Sequence, residues 1–412
     1  MKPGPLRYLT LLVSFLVMIW STCLPTVASQ ANEPDLVETA NTISRLIAEN
    51  HYNPAELKRP EYLTIEKRVM QAAISAKSND EFMRLFKDLW RDGPFSHVNL
   101  VKSDRDAAAR ADFFDTFRVG GGGAMLAWQK DVAVLTVNTM MGLDTIEEIN
   151  EAYAEIVNKA ATALIIDLRN NEGGAFAIVP LVSHLLNKPL DAGIFASRKW
   201  NTDKQTEPTL NDVASLDPWT GWSIKSFWHD VQTAPLTRVQ FIPMVPQYLG
   251  PVYILTSQRS ASATEFAIDA LANLAKVTII GEPTAGKMLS QKMFDVSNGL
   301  LIALPIAEYY STRIGRIEGK GVSPTIAVPA HQAMKAAMGI IAGDDPKILV
   351  EKLAASPKQE SSGFGNDKLY LFGSMNDWGK NWSNTPQFQH QGEGIYEAKI
   401  KLNNGSWEFK VA

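Results

Sequence analysis

The sequence predicts an α/β protein with a helical N-terminal region and a small all-β module at the C-terminus. From Leu36 to about Arg91, apolar residues recur at helical spacing. Between about residues 124 and 306, short and continuously apolar strands alternate with helical stretches. After residue 367 the pattern becomes purely alternating, with Asn-Gly and Asn-Asp turns that are typical of antiparallel strands.

The composition is that of a globular protein with no strong charge bias. The 412 residues are 45% hydrophobic and 20% charged, and 40 basic against 44 acidic residues give a formal net charge of −4. Because this balance provides no basic field, we expect no nucleic-acid partner. The histidines show no metal-ligand spacing, and we expect neither a metal nor another cofactor.

Residues 1–31 are expected to form an export signal. Lys2 and Arg7 precede an apolar run from Leu9 to Trp20, and small residues around Ala28 offer a cleavage site. This run is shorter than the roughly 20 apolar residues that span a bilayer, which favours a cleaved signal over a retained anchor. The single cysteine, Cys23, would leave with the signal. We therefore expect a thiol-free periplasmic or extracellular protein with no stable membrane span.

The elements of the core can be followed in chain order. Helices are predicted within residues 32–110, and the core is assigned to residues 111–355. There a hairpin at residues 124–137 and a helix from Thr145 lead to the buried strand "ALIIDL". A helix after Gly174, strand "VYIL", a helix from about Ser262, and strands "VTIIG" and "LLIALPI" follow. Such alternation indicates a largely parallel sheet covered on both faces.

Two segments depart from this alternation. Residues 199–247 carry four tryptophans and several prolines without a clear period. They form either an insertion over a cleft or a packed surface loop, and the sequence leaves both open. Residues 356–367 form a polar linker, "SPKQESSGFGND", which separates the core from the β module at residues 368–412.

A serine and a lysine are placed where they can meet. Ser262 lies where a predicted strand leads into a helix, and free amides at a helix N-terminus can stabilise an oxyanion. A serine there is also commonly an N-cap. Lys287 follows 25 residues later, and one βαβ unit returns the chain to the same sheet edge. To act as a base, a lysine needs its pKa lowered from about 10.4 towards 7 or 8 by desolvation.

Four motifs in this order resemble peptidase family S41, the tail-specific or C-terminal processing proteases: "ALIIDLRNNEGGAF", "SASATEF", "GEPTAGK" and "IEGKGVSPTIAVP". The resemblance covers roughly residues 36–355. It implies a crotonase- or ClpP-like spiral core of ββα units and a serine endopeptidase acting on unfolded or tail segments of proteins. By the same resemblance, Ser262 attacks the scissile carbonyl, Lys287 accepts its proton and Gln291 orients the lysine.

The resemblance also implies the groups that would stabilise the oxyanion. These are the amide of Ala263 and one amide from Gly173 or Gly174, where glycine allows close backbone approach. Glu172 stands where the family commonly has proline or glycine before this pair.

The chain departs from the processing proteases in one respect. Only about 35 residues separate His97 from the strand "VAVLTV", too few for the PDZ domain that these proteases usually carry there. The resemblance therefore implies an S41 peptidase that lacks a PDZ domain. Its substrates would be selected by another part of the chain, for which the tryptophan-rich residues 199–247 are the candidate.

A second set of catalytic residues is also encoded. Ser96 and His97 in "GPFSHVNL", with Glu318 in "IEGKG", resemble the serine, histidine and acid of the tricorn-like branch of the family. Histidine is a base near neutrality without a shifted pKa. A lysine together with a glutamine at the family's spacing is less expected by chance than a histidine in this loop. The sequence therefore favours Lys287 over His97 as the base. The alternative from another class is a non-catalytic protein that binds a peptide or apolar ligand and a glycan.

The C-terminal segments "YLFGSMNDWGKNW" and "GIYEAKIKLNNGSWEFKVA" resemble early-set immunoglobulin-like glycogen- or starch-binding modules over about 45 residues. The likeness implies that Trp378 stacks on a sugar ring, with Trp382 as a further contact and Lys410 as a donor to hydroxyls. An α-glucan is the partner expected from this likeness. The strand pattern stops at Ala412, so the module is expected to be incomplete.

Overall fold

The computed structural model describes residues 35–204, 206–297, 299–355, 371–373, 387–392, 395–398 and 409–411. Its helices are Leu36–Asn50 (α1), Pro60–Ser75 (α2), Asn79–Trp90 (α3), Ala107–Thr116 (α4), Leu143–Asn158 (α5), Ile178–Ser183 (α6), Arg198–Asp203 (α7), Ile224–Thr233 (α8), Ala263–Leu271 (α9), Ala333–Ile341 (α10) and Pro346–Ala355 (α11). Short 3₁₀ turns lie at Glu56–Lys58, Leu210–Val213 and Ala330–Gln332.

The strands of the core are Asn99–Lys102 (β1), Ala124–Gln129 (β2), Val132–Val137 (β3), Ala163–Asp167 (β4), Leu190–Ser197 (β5), Leu236–Phe241 (β6), Val252–Thr256 (β7), Val277–Gly281 (β8), Leu289–Asp295 (β9), Leu300–Ser311 (β10), Gly315–Arg316 (β11) and Ile326–Ala327 (β12). Near the C-terminus lie Leu371–Gly373 (β13), Gln389–Gly392 (β14), Ile395–Glu397 (β15) and Phe409–Val411 (β16).

The first sheet has the strand order β12-β8-β7-β4-β3-β2. Its pairings are parallel except for the β2–β3 hairpin. Helices α5, α6 and α9 share one hydrophobic core with one face of this sheet, and α10 and α11 share another core with the opposite face. Both faces are therefore covered, which explains why strands such as β4 are continuously apolar. This sheet matches the parallel sheet that the sequence predicts.

The second sheet is antiparallel, with the order β1-β10-β5-β6 and with β9 and β11 also paired to β10. The prediction that the strand "LLIALPI" belongs to the parallel sheet is wrong, because this strand is part of β10. Leu300 and Ile302 pack against the N-terminal helices, whereas Leu301 and Ala303 pack near α4 and α8. Since β10 is buried on both faces, its sequence lacks the alternation that usually marks an antiparallel strand.

The N-terminal helices α1–α3 pack on the second sheet. The side chains of Asp35 and Ser78 cap α1 and α3 by accepting hydrogen bonds from main-chain amides in the first turn of each helix, at Glu38 and Glu81. Along α3 the buried side chains recur every four residues, and they join β10 in one hydrophobic core. The helical region therefore supports the segment that connects α3 to β1.

Several predictions from the sequence fall outside the described residues. These are the export signal at residues 1–31 and most of the β module, including Trp378, Trp382 and the side chain of Lys410. The described strands near the C-terminus form two antiparallel pairs, β13 with β16 and β14 with β15. No helix within the described ranges is long and apolar enough to cross a membrane.

Replacement of Phe82 tests whether α3 and β10 share one core. Phe82 is fully buried between them, so Phe82→Ala is expected to lower the free energy of unfolding by about 3–5 kcal/mol, measured by urea denaturation. Arg84→Ala, on the exposed face of the same helix, should change it by no more than about 0.5 kcal/mol. A loss below about 1 kcal/mol for Phe82→Ala would contradict this packing.

Candidate active site

Ser262 lies in a strained turn between β7 and α9. Its backbone has φ 57° and ψ −126°, a conformation that residues with a Cβ rarely adopt. The Ser262 amide donates both to the Lys287 carbonyl oxygen, at 3.0 Å, and to Glu265 Oε2, at 3.1 Å. Strain of this kind persists only where surrounding contacts hold it, and it is common at functional sites.

The carboxylate of Glu265 connects this turn to the loop before β9. Glu265 is fully buried. It accepts hydrogen bonds from the amides of Gly286 and Lys287, both at 2.8 Å, and from Thr284 Oγ1 at 2.5 Å. Burial raises the pKa of Glu265, while these donors act in the opposite direction. The carboxylate therefore fixes the loop against the helix that begins beside Ser262.

His97 contacts the hydroxyl of Ser262. Its Nε2 lies 3.1 Å from Ser262 Oγ, and its Nδ1 lies 2.6 Å from Ser96 Oγ. Glu318 holds the same segment, because its Oε1 accepts from the Ser96 amide at 3.1 Å. Its Oε2 accepts from the Met288 amide at 2.6 Å. The structure thus brings together Ser96, His97, Glu318 and Ser262, which the sequence offers as the second set of catalytic residues.

The environment of His97 keeps its imidazole neutral near pH 7. Burial, and secondarily the positive charge of Lys287, lower the pKa of His97 to about 4. When Nε2 accepts a hydrogen bond from the Ser262 hydroxyl, Nδ1 carries the ring proton and donates a hydrogen bond to Ser96 Oγ. In this tautomer the imidazole is ready to accept a proton from the serine.

Lys287 approaches Ser262 through its main chain only. Its carbonyl oxygen and amide bond to the Ser262 amide and to Glu265, and its side chain is exposed. Within the described ranges, the Lys287 ammonium makes no hydrogen bond or ion pair. Gln291, in β9, lines the same cavity as Ser262. No hydrogen bond joins the side chains of Ser262, Lys287 and Gln291 among the described residues, although the family resemblance implies this contact.

Two amides beside Ser262 are available to an incoming oxyanion. Those of Ala263 and Gly174 donate no hydrogen bond to any residue that the structure describes, and both residues line the cavity with Ser262. The Gly173 amide, in contrast, donates to Asn171 Oδ1 at 2.9 Å. Of the two glycine amides that the sequence offers, only that of Gly174 has no acceptor among the described residues.

Gly173 allows the loop that follows β4 to pack closely against the turn that holds Ser262. A Cβ built on Gly173 would lie 2.7 Å from Ser262 Cβ, a distance that such atoms essentially never show. Its φ of +103° also favours glycine. Gly173 therefore lets the "NNEGG" loop pack directly against the turn that holds Ser262.

Asn171 was not identified from the sequence as a site residue. It is fully buried, and its Oδ1 accepts from both the Gly173 amide and Thr264 Oγ1, the latter at 2.7 Å. Its Nδ2 donates to the Val137 carbonyl oxygen at 3.0 Å. The side chain thus connects the two loops that carry the free amides. The only available signal is an asparagine in the loop between a buried strand and a pair of glycines.

A cavity of about 390 Å³ opens beside the serine hydroxyl. Its walls are largely aromatic, and the residues that form them include Phe176, Phe195, Trp219, Trp222, Phe227 and Phe266. Three of the four tryptophans of residues 199–247 line it, whereas Trp200 packs in a separate cluster. Of the two interpretations that the sequence leaves open, the position of these tryptophans supports an insertion beside the cleft.

Residues 131–328 match the model of the family described as peptidase family S41. This part of the chain is therefore similar to the S41 peptidases. The matched range includes Ser262, Lys287, Gln291 and Glu318, and it begins after His97. Within the described ranges, no group of three or more His, Cys, Asp or Glu side chains could hold a metal ion.

The curated relatives are processing proteases. The chain is 26% identical over 209 residues to the carboxyl-terminal-processing protease of Synechocystis sp., which covers 48% of this chain and 41% of that protein. It is 25% identical over 242 residues to the carboxyl-terminal-processing protease of Picosynechococcus sp., which covers 59% and 48%. The chain thus spans about half the length of the curated relatives it matches.

A solved protein from Parabacteroides merdae shares the fold. Its structure aligns with a TM-score of 0.51 at 17% sequence identity, over 76% of this chain and 99% of that chain. At this identity the likeness concerns the fold alone. It extends beyond the range of the family match, since it covers about three quarters of the chain.

Replacement of Gly173 tests the close approach beside Ser262. The added methyl group of Gly173→Ala must displace the turn and the neighbouring amides, so kcat/KM for a peptide substrate is expected to fall about 10²- to 10³-fold. Gly122→Ala is the matched control, because Gly122 also has a positive φ (+74°) but its Cβ would meet no atom within 4 Å. If both variants have equal kcat/KM, this close approach is not required for activity.

Proposed function

We propose that this chain is a serine endopeptidase that hydrolyses peptide bonds with Ser262 as nucleophile and His97 as general base. The observation that carries the proposal is the 3.1 Å contact between His97 Nε2 and Ser262 Oγ, next to two amides without a partner among the described residues. A nucleophile, a base within hydrogen-bond distance and adjacent oxyanion donors are the three parts that acyl transfer requires.

The reaction would proceed in two stages. Ser262 Oγ attacks the scissile carbonyl carbon while its proton passes to His97 Nε2, and the carbonyl oxygen takes the negative charge. The amides of Ala263 and Gly174 stabilise that charge. His97 then gives the proton to the leaving amine, which breaks the C–N bond and leaves an acyl-enzyme. A water molecule, deprotonated by His97, hydrolyses the ester by the same steps.

Ser96 and Glu318 would position the base. Ser96 Oγ lies 2.6 Å from Nδ1 and would accept its hydrogen bond in the tautomer whose Nε2 is free to act as the base. Glu318 accepts a hydrogen bond from the Ser96 amide and so holds the segment that carries His97. Burial raises the pKa of Glu318, and its hydrogen bonds oppose that shift.

Lys287 with Gln291 is the second candidate for the base. It is supported by the spacing of Ser262, Lys287 and Gln291 and by the family match that spans all three residues. The contacts around Ser262 favour His97, so we assign Lys287 a different part, in which its positive charge lowers the pKa of His97.

The wider setting of the enzyme is also proposed. The names of the curated relatives, carboxyl-terminal-processing proteases, support proteins cut near their carboxyl ends as substrates. Attack in unfolded segments stays an expectation from the family resemblance. The apolar N-terminal pattern supports export. A spiral of ββα units, the absence of a PDZ domain and the division of the chain at residues 110, 355 and 367 remain parts of this proposal. Neither the described residues nor the relatives support α-glucan binding, which stays a prediction from the sequence.

Four variants separate the two bases, with hydrolysis of an unfolded protein as the assay. Ser262→Ala should abolish activity, and His97→Ala should lower kcat/KM about 10²- to 10⁴-fold. Lys287→Arg should stay within about tenfold of wild type, because arginine keeps the charge but cannot be deprotonated. His229→Ala, an exposed histidine on α8, is the matched control and should equal wild type.

The opposite pattern contradicts the assignment of His97. An inactive Lys287→Arg enzyme beside an active His97→Ala enzyme would make Lys287 the base. A folded wild-type protein that cleaves none of several unfolded substrates would favour the non-catalytic binding protein instead.

A further inference from the structure

We propose that the aromatic cavity is the specificity pocket for the residue whose carbonyl is attacked, and that it selects a large apolar side chain, aromatic above all. This inference rests on the proposed peptidase function. It goes beyond that function because it names the side chain that determines where the enzyme cuts.

The position of the cavity determines which substrate residue enters it. Ser262, Ala263 and Gly174 all line its wall. The carbonyl carbon of the substrate would lie at Ser262 Oγ and its oxygen at the two free amides. The Cα of the same residue is bonded directly to that carbon. The side chain on that Cα is therefore the one nearest to the cavity, and the adjoining wall formed by Trp219, Trp222 and other rings is the surface it would contact.

The cavity walls are chemically suited to an apolar side chain. The rings of Phe176, Trp219, Trp222 and Phe227 are only partly buried and lie within 5.0–6.0 Å of one another, centroid to centroid, with tilted or edge-to-face geometry. Such clusters bind another aromatic ring in the same arrangements. Because these rings are only partly buried, part of each ring surface remains accessible to a substrate side chain.

Among the described residues of the wall, a charged substrate side chain would find no unpaired charged partner outside the catalytic set. The titratable residues in the wall are His97, which belongs to the catalytic set, and Glu172, which is paired with Arg259 at 3.0 Å. A carboxylate or ammonium moved into such a cavity loses its hydration without a compensating ion pair. An apolar group gains from the same transfer in proportion to the area removed from water.

The tryptophans are held in place before any substrate binds. Trp219 Nε1 donates to Asp230 Oδ2 at 3.0 Å, which fixes its indole on α8. Trp222 stacks on buried Phe241, with 5.6 Å between centroids and 22° between planes, and its backbone has a positive φ of 35°. A strained residue held by its neighbours is a preorganised one, so little ordering cost remains for binding.

Peptides that differ at one residue test the inference. In a series with Phe, Leu, Ala, Asp or Lys on the acyl side of a single scissile bond, wild type should show the highest kcat/KM for Phe and then Leu. Ala should be about 10- to 200-fold poorer, and Asp and Lys should be poorer still. Mass spectrometry of the products locates the cut in each peptide.

Variants then assign the selection to the cavity. Trp219→Ala and Trp222→Ala should each reduce the ratio of kcat/KM for Phe over Ala by about tenfold or more. Trp128→Ala is the matched control, since Trp128 lies on β2 and packs against Lys159 and Glu155 rather than in the cavity. It should leave the ratio unchanged. Labelling of Ser262 by diisopropyl fluorophosphate, at the wild-type rate, verifies that each variant keeps its nucleophile.

The outcomes distinguish the inference from the function on which it rests. Wild type that labels at Ser262 and cleaves all five peptides equally, or prefers Asp or Lys, overturns the specificity pocket and leaves the peptidase intact. Tryptophan variants with the wild-type ratio overturn it as well. If Ser262 is neither labelled nor able to cleave any peptide, the proposed peptidase function itself fails.

Discussion

The buried carboxylate of Glu265 is the constraint on which the candidate site depends. It accepts the amide of Ser262 on one side and the amides of Gly286 and Lys287 on the other. A buried carboxylate is costly unless it is fully hydrogen-bonded, and these donors together with Thr284 provide that compensation. The strained turn at Ser262 and the loop before β9 are consequently held as one unit.

A second buried carboxylate extends this unit to the base. Glu318 accepts the amide of Met288, next to the loop that Glu265 fixes, and also the amide of Ser96. Since Ser96 and His97 lie between α3 and β1, the N-terminal helices contribute directly to the position of the base. The contacts close a ring from Ser262 through both carboxylates to His97 and back to Ser262. Damage to any member is therefore expected to displace the others.

The chemical groups and the cavity walls come from different parts of the chain. Ser262, the proposed nucleophile, and the amides of Ala263 and Gly174 lie at strand ends of the first sheet, and Asn171 joins the two loops. Trp219 and Trp222 come from the insertion at residues 199–247 instead. Loops on a rigid scaffold commonly carry function in this way. Changes in the insertion can thus alter the preferred substrate while the reacting groups stay in place.

Much of the first sheet is predictable from the sequence, because strands such as "ALIIDL" and "VYIL" are buried on both faces and are separated by helices. The position of Ser262 between a strand and a helix is predictable for the same reason. As the spacing predicts, the backbone of Lys287 also lies at this edge of the sheet, next to Ser262. The Lys287 side chain is exposed, and the hydrogen bond from its amide to Glu265 is a contact that no sequence spacing encodes.

The parts that could not be predicted depend on long-range contacts. His97 meets Ser262 across 165 residues, and nothing local to "GPFSHVNL" shows that this loop packs beside α9. The same holds for β10, whose two covered faces remove the alternation typical of an antiparallel strand. The resemblance to the processing proteases implies Lys287 as the base, whereas the contacts around Ser262 favour His97.

The pH dependence of kcat/KM tests the central claim, that neutral His97 is the base, most directly. His97 must be unprotonated to accept the serine proton, so on an uncharged peptide kcat/KM should fall only as the pH drops through the pKa of His97, about 4, and should be level from pH 6 to 8. Circular dichroism verifies that the protein stays folded across this range. An acidic limb at pH 8 or above would instead show that a lysine must lose its proton, and it would contradict the assignment of His97.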